Sequence, residues 1–258
     1  MAKKSRPPAG KRTIPDGRAV IEAVLAATNR DVTEAEAKAA AKQKKFKKDL
    51  KFAIAFAKHM GIEVAKALQL DFPGTVSGEK LSQAVRGMKR VDVKYATREA
   101  GLGLALSFKS VHLGEEGGDA DFIHNMKRND EELRVEATGH HLRQPYAVMV
   151  AVVFLPFQSC EDGDEQSSFA SWVEYLWPLK GRIEPEDPPD RYELVYMGLY
   201  ARDGSQLGFY EVGGAVPCPR KGRPKELLGF ADLLARIRKV YDARNGRDFF
   251  FEGEEPEK

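Results

Sequence analysis

The chain has 258 residues, of which 42% are hydrophobic and 31% are charged, so it can bury the core of one sizeable domain. No stretch approaches the roughly 18 consecutive apolar residues of a membrane helix, and the first residues lack the apolar core of a secretory signal. We therefore expect a cytoplasmic protein with no membrane partner. The two cysteines, Cys160 and Cys218, form neither a zinc-binding pattern nor a disulfide framework.

The charge is unevenly distributed along the chain, although the net charge is only +2. Residues 1–70 carry 16 Lys/Arg and 7 Asp/Glu, a balance of +9, whereas the rest of the chain stands at −7. A basic segment is typical of a polyanion partner, because each phosphate that it neutralises releases counterions. Charge alone favours the plainer interpretation, a solvated helix face with a solubilising tail.

The first third of the chain predicts a flexible arm and then helix. Residues 1–17 combine basic side chains with Pro and Gly, which predicts the arm. Over residues 33–68 the apolar side chains recur at helical spacing, among them Phe46, Leu50, Ala53, Ala57 and Met60. We predict one long helix that starts at a capping box of Thr33 and Glu36, or two helices that break near Gly61.

Two strands with period-two alternation follow, over residues 90–97 and 102–111. In the first strand, one face is apolar and carries Val91, Val93 and Tyr95. In the second strand, one face is apolar and carries Leu102, Leu104, Leu106 and Phe108. Asp92 is therefore predicted on the polar face of the first strand, and Ser107 and Lys109 on the face of the second strand opposite its apolar side chains.

The remaining elements complete an α/β pattern. They are a helix, a strand buried on both faces, a helix, a hairpin and a closing helix, over residues 128–142, 145–157, 167–177, 193–212 and 225–244. The acidic residues 251–258 should fray. This order predicts a single α/β domain over residues 18–250, with a mixed central β-sheet flanked by helices.

Asp92 and Lys109 are the residues of the chain that most suggest chemistry. Hydrolysis of a phosphodiester needs a divalent cation held by carboxylates, and a lysine near the attacking water or the charge that develops on the phosphate. Adjacent strands can direct an aspartate and a lysine to one such point. The alternative is that both are ordinary surface charges, since this spacing also arises by chance.

Around these two residues, over residues 45–156, the chain resembles the PD-(D/E)XK restriction-endonuclease-like superfamily. Members of that family carry an aspartate on one strand and a (D/E)-X-K motif on the next strand, packed between helices. Here the motif reads Ser107-Phe108-Lys109, which is similar to an S-X-K variant in which a glutamate of the following helix supplies the missing carboxylate. The resemblance implies a restriction-endonuclease-like fold.

The same resemblance implies the roles of the site residues. Asp92 would ligate Mg²⁺, for which Mn²⁺ can substitute, and Lys109 would orient or polarise the attacking water. Glu132 or Glu136 would complete the metal shell in place of a carboxylate at Ser107. The catalytic set implied is therefore Asp92, Ser107, Lys109, Glu132 and Glu136.

Helical geometry distinguishes the glutamates of residues 128–142. At about 100° per residue, and with Leu133 towards the core, Glu136 lies about 60° and Glu132 about 100° from the core direction. Glu131 lies about 160° away and should face water. Glu132 and Glu136 are therefore the predicted metal ligands of this helix.

Further binding residues are predicted on the basic part of the chain. The predicted nucleic-acid contacts are Lys3, Lys4, Arg6, Lys11, Arg12, Lys44, Lys45 and Lys48. Glu63 is an additional metal-site candidate, because nucleases of the resembled type often carry a further glutamate in the first long helix.

Taken with the resemblance, these residues predict a divalent-metal-dependent DNA endonuclease of the restriction type, acting in defence against foreign DNA. Restriction enzymes that cut palindromes are typically symmetric dimers, so a homodimer is expected. One alternative is a non-catalytic nucleic-acid-binding protein on the same fold, with Ser107 marking a decayed site. Another is an interaction subunit whose basic arm binds an acidic protein.

Overall fold

The computed structural model of the chain describes residues 14–84, 87–98, 100–111, 122–123 and 125–245, with the backbone alone for 79–84 and 87–90. The helices within these ranges are α1 (Gly17–Ala41), α2 (Lys48–Leu68), α3 (Met126–His141), α4 (Ser168–Leu176) and α5 (Phe230–Arg244). The strands are β1 (Val76–Ala84), β2 (Gly87–Thr97), β3 (Gly101–Ser110), β4 (Val148–Pro156), β5 (Leu194–Tyr200) and β6 (Leu207–Glu211).

The six strands form one sheet in the order β1-β2-β3-β4-β5-β6. The pairs β1–β2, β2–β3 and β5–β6 are antiparallel, whereas β3–β4 and β4–β5 are parallel. The two parallel pairs require crossover connections, and these contain α3 and α4. The prediction of an α/β fold with a mixed central sheet flanked by helices is therefore confirmed.

The sheet separates two hydrophobic cores. The core on one face includes side chains of α1, α2 and α5, such as Phe56 and Leu233, and the core on the other includes those of α3 and α4, such as Leu133 and Trp172. Every residue of β4 is buried, and its side chains alternate between the two cores. This confirms the predicted strand with two buried faces.

The structure corrects two predictions for the helices at the start of the domain, namely where the first helix is capped and where the helical segment breaks. α1 begins at Gly17, and Thr33 lies inside it, where its hydroxyl donates to the Asn29 carbonyl at 2.9 Å instead of capping a helix. The helix ends before Gln43, which adopts a left-handed conformation with φ of 51°. Gly61 lies in the middle of α2, where a Cβ would come within 3.5 Å of the Asp92 carbonyl. This is an ordinary van der Waals distance, so a side chain would fit there, and the glycine does not end the helix.

Two predicted strand faces are also corrected, and each lies beside a shift in strand register. Val91 packs in the core on the α3 side, whereas Val93 packs on the opposite side, and β1 carries a register shift opposite this part of β2. Leu102 also lies on the α3 side, because the pairing of β2 with β3 shifts beside it. The other three residues predicted on the same face as Leu102 pack together on the opposite side of the sheet: Leu104, Leu106 and Phe108.

Within the described ranges, no helix combines the length and apolar character that crossing a membrane requires. At the start of these ranges, Ile14 packs against the core and α1 follows from Gly17. The basic residues predicted in the arm lie outside the described residues: Lys3, Lys4, Arg6, Lys11 and Arg12.

Candidate active site

The sheet divides at the point where the predicted site residues lie. The last pair between β2 and β3 joins Val93 to Leu106, and beyond it β2 continues beside β1 while β3 continues beside β4. β1 is irregular at the same level, between Ser77 and Lys80, where Gly78 takes a φ of 93° that glycine adopts without strain. The bulge and the end of the β2–β3 pairing create a cleft between the two halves of the sheet.

Asp92 lies at the point of division. Its Oδ2 atom accepts a hydrogen bond from the Phe108 backbone N–H at 2.7 Å. A side chain of β2 thus supplies the acceptor that a neighbouring backbone carbonyl supplies elsewhere in the sheet. The aspartate carboxylate is thereby fixed at the head of the cleft, beside the strand that carries Lys109.

Lys109 extends from β3 to two glutamates of α3. Its Nζ atom donates to Glu136 Oε1 at 3.0 Å and to Glu132 Oε2 at 3.2 Å. The exposed fraction of the side chain is 16% for Lys109, 19% for Glu136 and 40% for Glu132, whereas Glu131 is 62% exposed. This order matches the helical geometry, which directs Glu131 to water and the other two to the flank of the core.

The ion pairs of this cluster keep Lys109 and Glu132 in their charged forms. Burial lowers the pKa of Lys109, but the charges and hydrogen bonds of Glu136 and Glu132 outweigh it and raise the pKa above the ordinary value of 10.5. Partial burial raises the pKa of Glu132, yet hydrogen bonds and charges from Arg128 and Lys109 bring the net pKa below its ordinary value. Lys109 is therefore an ammonium at neutral pH, a hydrogen-bond donor and not a proton acceptor.

Asp92, Lys109, Glu132 and Glu136 line one cavity of about 630 Å³. They reach it from β2, β3 and α3, three elements that are separate in sequence. Across the cavity lies a face of α2 that we call the α2 wall, formed by Leu50, Ala53, Ile54 and Ala57. The structure thus brings together four of the five predicted catalytic residues.

Two further predicted residues lie away from the cavity. Ser107 is 1% exposed and does not line it. Glu63 bonds to Lys66 at 2.6 Å on α2 and is likewise absent from the cavity lining. Nothing in the geometry of either side chain directs it to the centre formed by Asp92 and Lys109.

A short segment before β5 fixes the position of α3, and so of its glutamates. The buried Tyr192 hydroxyl donates to the Leu133 carbonyl at 2.9 Å, and burial raises the pKa of this tyrosine well above its ordinary value. Arg134, in the middle of the helix, donates to Asp190 at 2.6 Å, and His141 Nδ1, at its C-terminal end, lies 3.0 Å from the Pro189 carbonyl. Residues 189–192 therefore hold α3 in place from its middle to its C-terminal end.

Sequence reasoning missed Tyr192 and Arg128 as supports of the site. Arg128 donates to Glu132 Oε1 at 2.8 Å, so that both oxygens of this carboxylate are engaged. This pair is one helical turn apart, a spacing that the sequence does display. Tyr192 lies 59 residues from the carbonyl that it binds, and no local pattern signals such a contact.

The donor chemistry of the cavity fits a hard divalent cation, but its carboxylates are not gathered around one. In the part of the chain that the structure describes, no three His, Cys, Asp or Glu side chains are grouped so that they could hold a metal ion. Glu132 and Glu136 do converge on a single positive charge, the Lys109 ammonium. Carboxylate oxygens of this kind are the ligands that Mg²⁺ prefers.

The predicted nucleic-acid contacts that the structure describes are exposed. Lys44 and Lys45 lie in the connection between α1 and α2, and Lys48 is the first residue of α2. The α2 wall of the cavity begins two residues further along the same helix, at Leu50. Comparison of this chain with protein-family models, with curated proteins and with solved structures finds no match in any of the three.

Proposed function

We propose that this protein is a divalent-metal-dependent nuclease that hydrolyses phosphodiester bonds in DNA. The observation that carries the proposal is the convergence of Asp92, Lys109, Glu132 and Glu136 on one cavity. These are the residues that the resemblance of the motif implies, and they come from three separate elements. Lys109 bonds to both glutamates of α3, and Asp92 lines the same cavity.

Each side chain has a role that its surroundings support. Asp92, Glu132 and Glu136 would hold Mg²⁺ or Mn²⁺, which when bound supplies a polarised phosphate and a more acidic water. Lys109 donates hydrogen bonds to the attacking water or to a phosphate oxygen, because its raised pKa keeps it charged. Arg128 keeps Glu132 ionised and directed towards the cavity.

The serine of the S-X-K motif is compatible with this assignment. Ser107 is buried below the cavity lining, so it supplies no carboxylate there. Glu136, whose carboxylate lies 3.0 Å from the Lys109 ammonium, supplies one from α3. The proposal therefore moves the second carboxylate of the motif from β3 to the following helix.

The proposal also includes a restriction or defence role in the cytoplasm, with DNA as substrate and a homodimer as the active form.

One observation favours a second candidate function, a non-catalytic DNA-binding protein on the same fold. Both predicted glutamate ligands are already paired with Lys109, and the described residues hold no ready-made group of three ligands. A site that had lost its metal would keep such an ion pair. Cleavage assays with and without metal distinguish the two functions.

The test is incubation of supercoiled plasmid with the protein in Mg²⁺, in Mn²⁺ and in chelator. We expect nicked or linear product with either metal and none with chelator. Glu136→Gln should slow cleavage about tenfold or more, because the carboxylate nearest to Lys109 loses its charge. The matched control Glu131→Gln, on the exposed side of the same helix, should cut at the wild-type rate.

Binding without cleavage in any metal would replace the nuclease with the non-catalytic function. Cleavage that persists in chelator would contradict the metal requirement. An equal loss of cleavage in Glu131→Gln and Glu136→Gln would show that the orientation of α3 does not decide which glutamate acts.

The lysines that precede α2 should contribute affinity through phosphate contacts. Lys44→Ala/Lys45→Ala is expected to weaken duplex or single-strand binding and to reduce the slope of log K against log salt by about one to two. The measurement is a salt titration by fluorescence anisotropy. Lys225→Ala/Lys239→Ala, which removes two exposed lysines that do not line the cavity, should leave the slope unchanged. An equal change in both variants would mean a general charge effect.

A further inference from the structure

The α2 wall exposes two large aliphatic side chains beside the charged centre of the cavity. Leu50 is 40% exposed and Ile54 is 52% exposed, and both line the cavity together with Asp92 and Lys109. They are four residues apart on α2, so they lie on one face, one turn above the other. An apolar surface therefore stands opposite the carboxylates and the lysine.

This apolar surface is separate from the face of α2 that packs in the hydrophobic core. The core-facing stripe of α2 includes Phe56 and Met60, both completely buried. At about 100° per residue, Ile54 points about 160° away from Phe56. Leu50 and Ile54 thus form a second apolar stripe, which lines the cavity.

A ligand that suits both walls must combine a phosphate with an apolar surface. A nucleotide does so, because its phosphate can meet Lys109 while a face of its base lies on aliphatic side chains. The exposed Lys44, Lys45 and Lys48 lie at the N-terminal end of α2, where the wall begins, so a strand whose phosphates contact these lysines would pass close to the wall. The amides of Asn125 and Asn129 line the same cavity and can bond to base edges.

The faces of bases are available only where the strand is unstacked. In a B-form duplex the grooves present base edges, whereas each face is covered by its neighbour in the stack. A base can lie on Leu50 and Ile54 only if it belongs to a single strand or to an unpaired segment. The wall is therefore a feature that discriminates between substrates by their secondary structure.

We propose that the α2 wall binds an unpaired base next to the scissile phosphate, so that the preferred substrate is single-stranded DNA or an unpaired segment of a duplex. This inference rests on the proposed nuclease function and specifies its substrate class. The wall contributes to binding, and Asp92, Lys109 and the glutamates of α3 act on the phosphate.

The test uses one labelled oligonucleotide as a single strand, as a full duplex and as a duplex with an unpaired flap. Wild-type protein in Mn²⁺ is expected to cut the single strand and the flap at least about tenfold faster than the full duplex. Leu50→Ala/Ile54→Ala should raise KM for the single strand about tenfold, with kcat little changed, because a base contact is lost and the charged centre is not. Val135→Ala, which shortens an exposed aliphatic side chain of α3 away from the cavity, should match wild type.

Binding of the same single strand is measured in parallel, in chelator, by fluorescence anisotropy. If nothing is cut but Leu50→Ala/Ile54→Ala weakens single-strand binding, the nuclease proposal fails and the wall assignment stands. If the single strand is bound or cut equally well by this variant and by wild type, the wall assignment is overturned. The wall would then belong to another occupant, such as an apolar helix of a protein partner. Faster cleavage of the full duplex would overturn it as well.

Discussion

Lys109→Met is expected to reduce DNA cleavage by at least about 100-fold and, at the same time, to strengthen the binding of divalent cations. The first effect follows from the proposed role of the ammonium as a donor to the reacting groups. The second follows from the position of that ammonium, which bonds to both Glu132 and Glu136 within 3.2 Å. A cation that enters between these carboxylates must compete with the lysine, and methionine removes the competitor while keeping the side-chain length.

Thermal unfolding measures the second effect without catalysis. Lys109→Met should unfold at a lower temperature than wild type in chelator, since two neighbouring carboxylates lose their partner at a cost of about 1–3 kcal/mol at this partly exposed site. Ca²⁺ should then raise its midpoint by about 3 °C more than it raises that of wild type. Lys58→Met removes a lysine that lines the same cavity but bonds to Asp31, and it should gain no such response. Equal Ca²⁺ responses in wild type and Lys109→Met would show that the lysine does not occupy the cation position.

The pH dependence of the wild-type protein tests the same role of Lys109. A raised pKa means that the ion pairs of Lys109 stabilise the folded chain fully below the ordinary lysine pKa and lose that effect as pH rises through the raised value. Because even the ordinary lysine pKa of 10.5 lies above this range, cleavage is expected to show little fall between about pH 8 and pH 10. A lysine acting as a neutral base would instead need a lowered pKa, and its activity would rise with loss of the proton in that range.

The elements that the sequence predicted well are those with a strong local period. β4 has an almost unbroken apolar run, and the structure buries all nine of its residues. The orientation of the α3 glutamates also followed from helical geometry, because Leu133 was a reliable marker of the core side. In both cases the period of a single strand or helix was enough to predict which side chains face the core.

The errors lie where irregular backbone decides the outcome. The face of Leu102 was predicted wrongly because β3 carries an extra residue beside it, which reverses the strand face, and Val91 lies opposite the bulge of β1. The break between α1 and α2 was missed because the apolar period starts at Phe46, inside the lysine-rich connection, and continues into α2. The irregular pairing of the strands also opens the cleft at Asp92. The part of the sheet that is hardest to predict is therefore the part that forms the site.

The contacts that assemble the site are distant in sequence, which is why residue types alone could suggest them but not establish them. The Phe108 N–H and Asp92 are 16 residues apart, and Lys109 and Glu136 are 27 apart. The support from Tyr192 comes from 59 residues away and depends on a buried hydroxyl. Strand and helix patterns place each residue on an element, whereas the crossover of the chain through α3 decides that they meet.

Asp92→Asn is expected to reduce cleavage about 100-fold to 1000-fold while leaving the fold intact. The asparagine keeps a side-chain oxygen that can accept the hydrogen bond from Phe108 N–H, so the join between β2 and β3 is retained. It loses the negative charge that a hard cation requires of a ligand. Asp92→Ala should lose cleavage to the same extent and should also unfold more easily, by about 1–3 kcal/mol, because the Phe108 N–H is left without its acceptor.

The comparison of these two variants separates a chemical role of Asp92 from a structural one. Plasmid cleavage in Mn²⁺ and the midpoint of thermal unfolding are measured for wild type, Asp92→Asn and Asp92→Ala. If the carboxylate serves the reaction, both variants are inactive and only the alanine variant is less stable. If it serves only to join the strands, the asparagine variant cuts at the wild-type rate and the alanine variant alone fails, and Asp92 then has no part in metal binding. The amide differs from the carboxylate in charge and not in size, so this pair tests the metal assignment at the one residue whose backbone contact could otherwise explain its position.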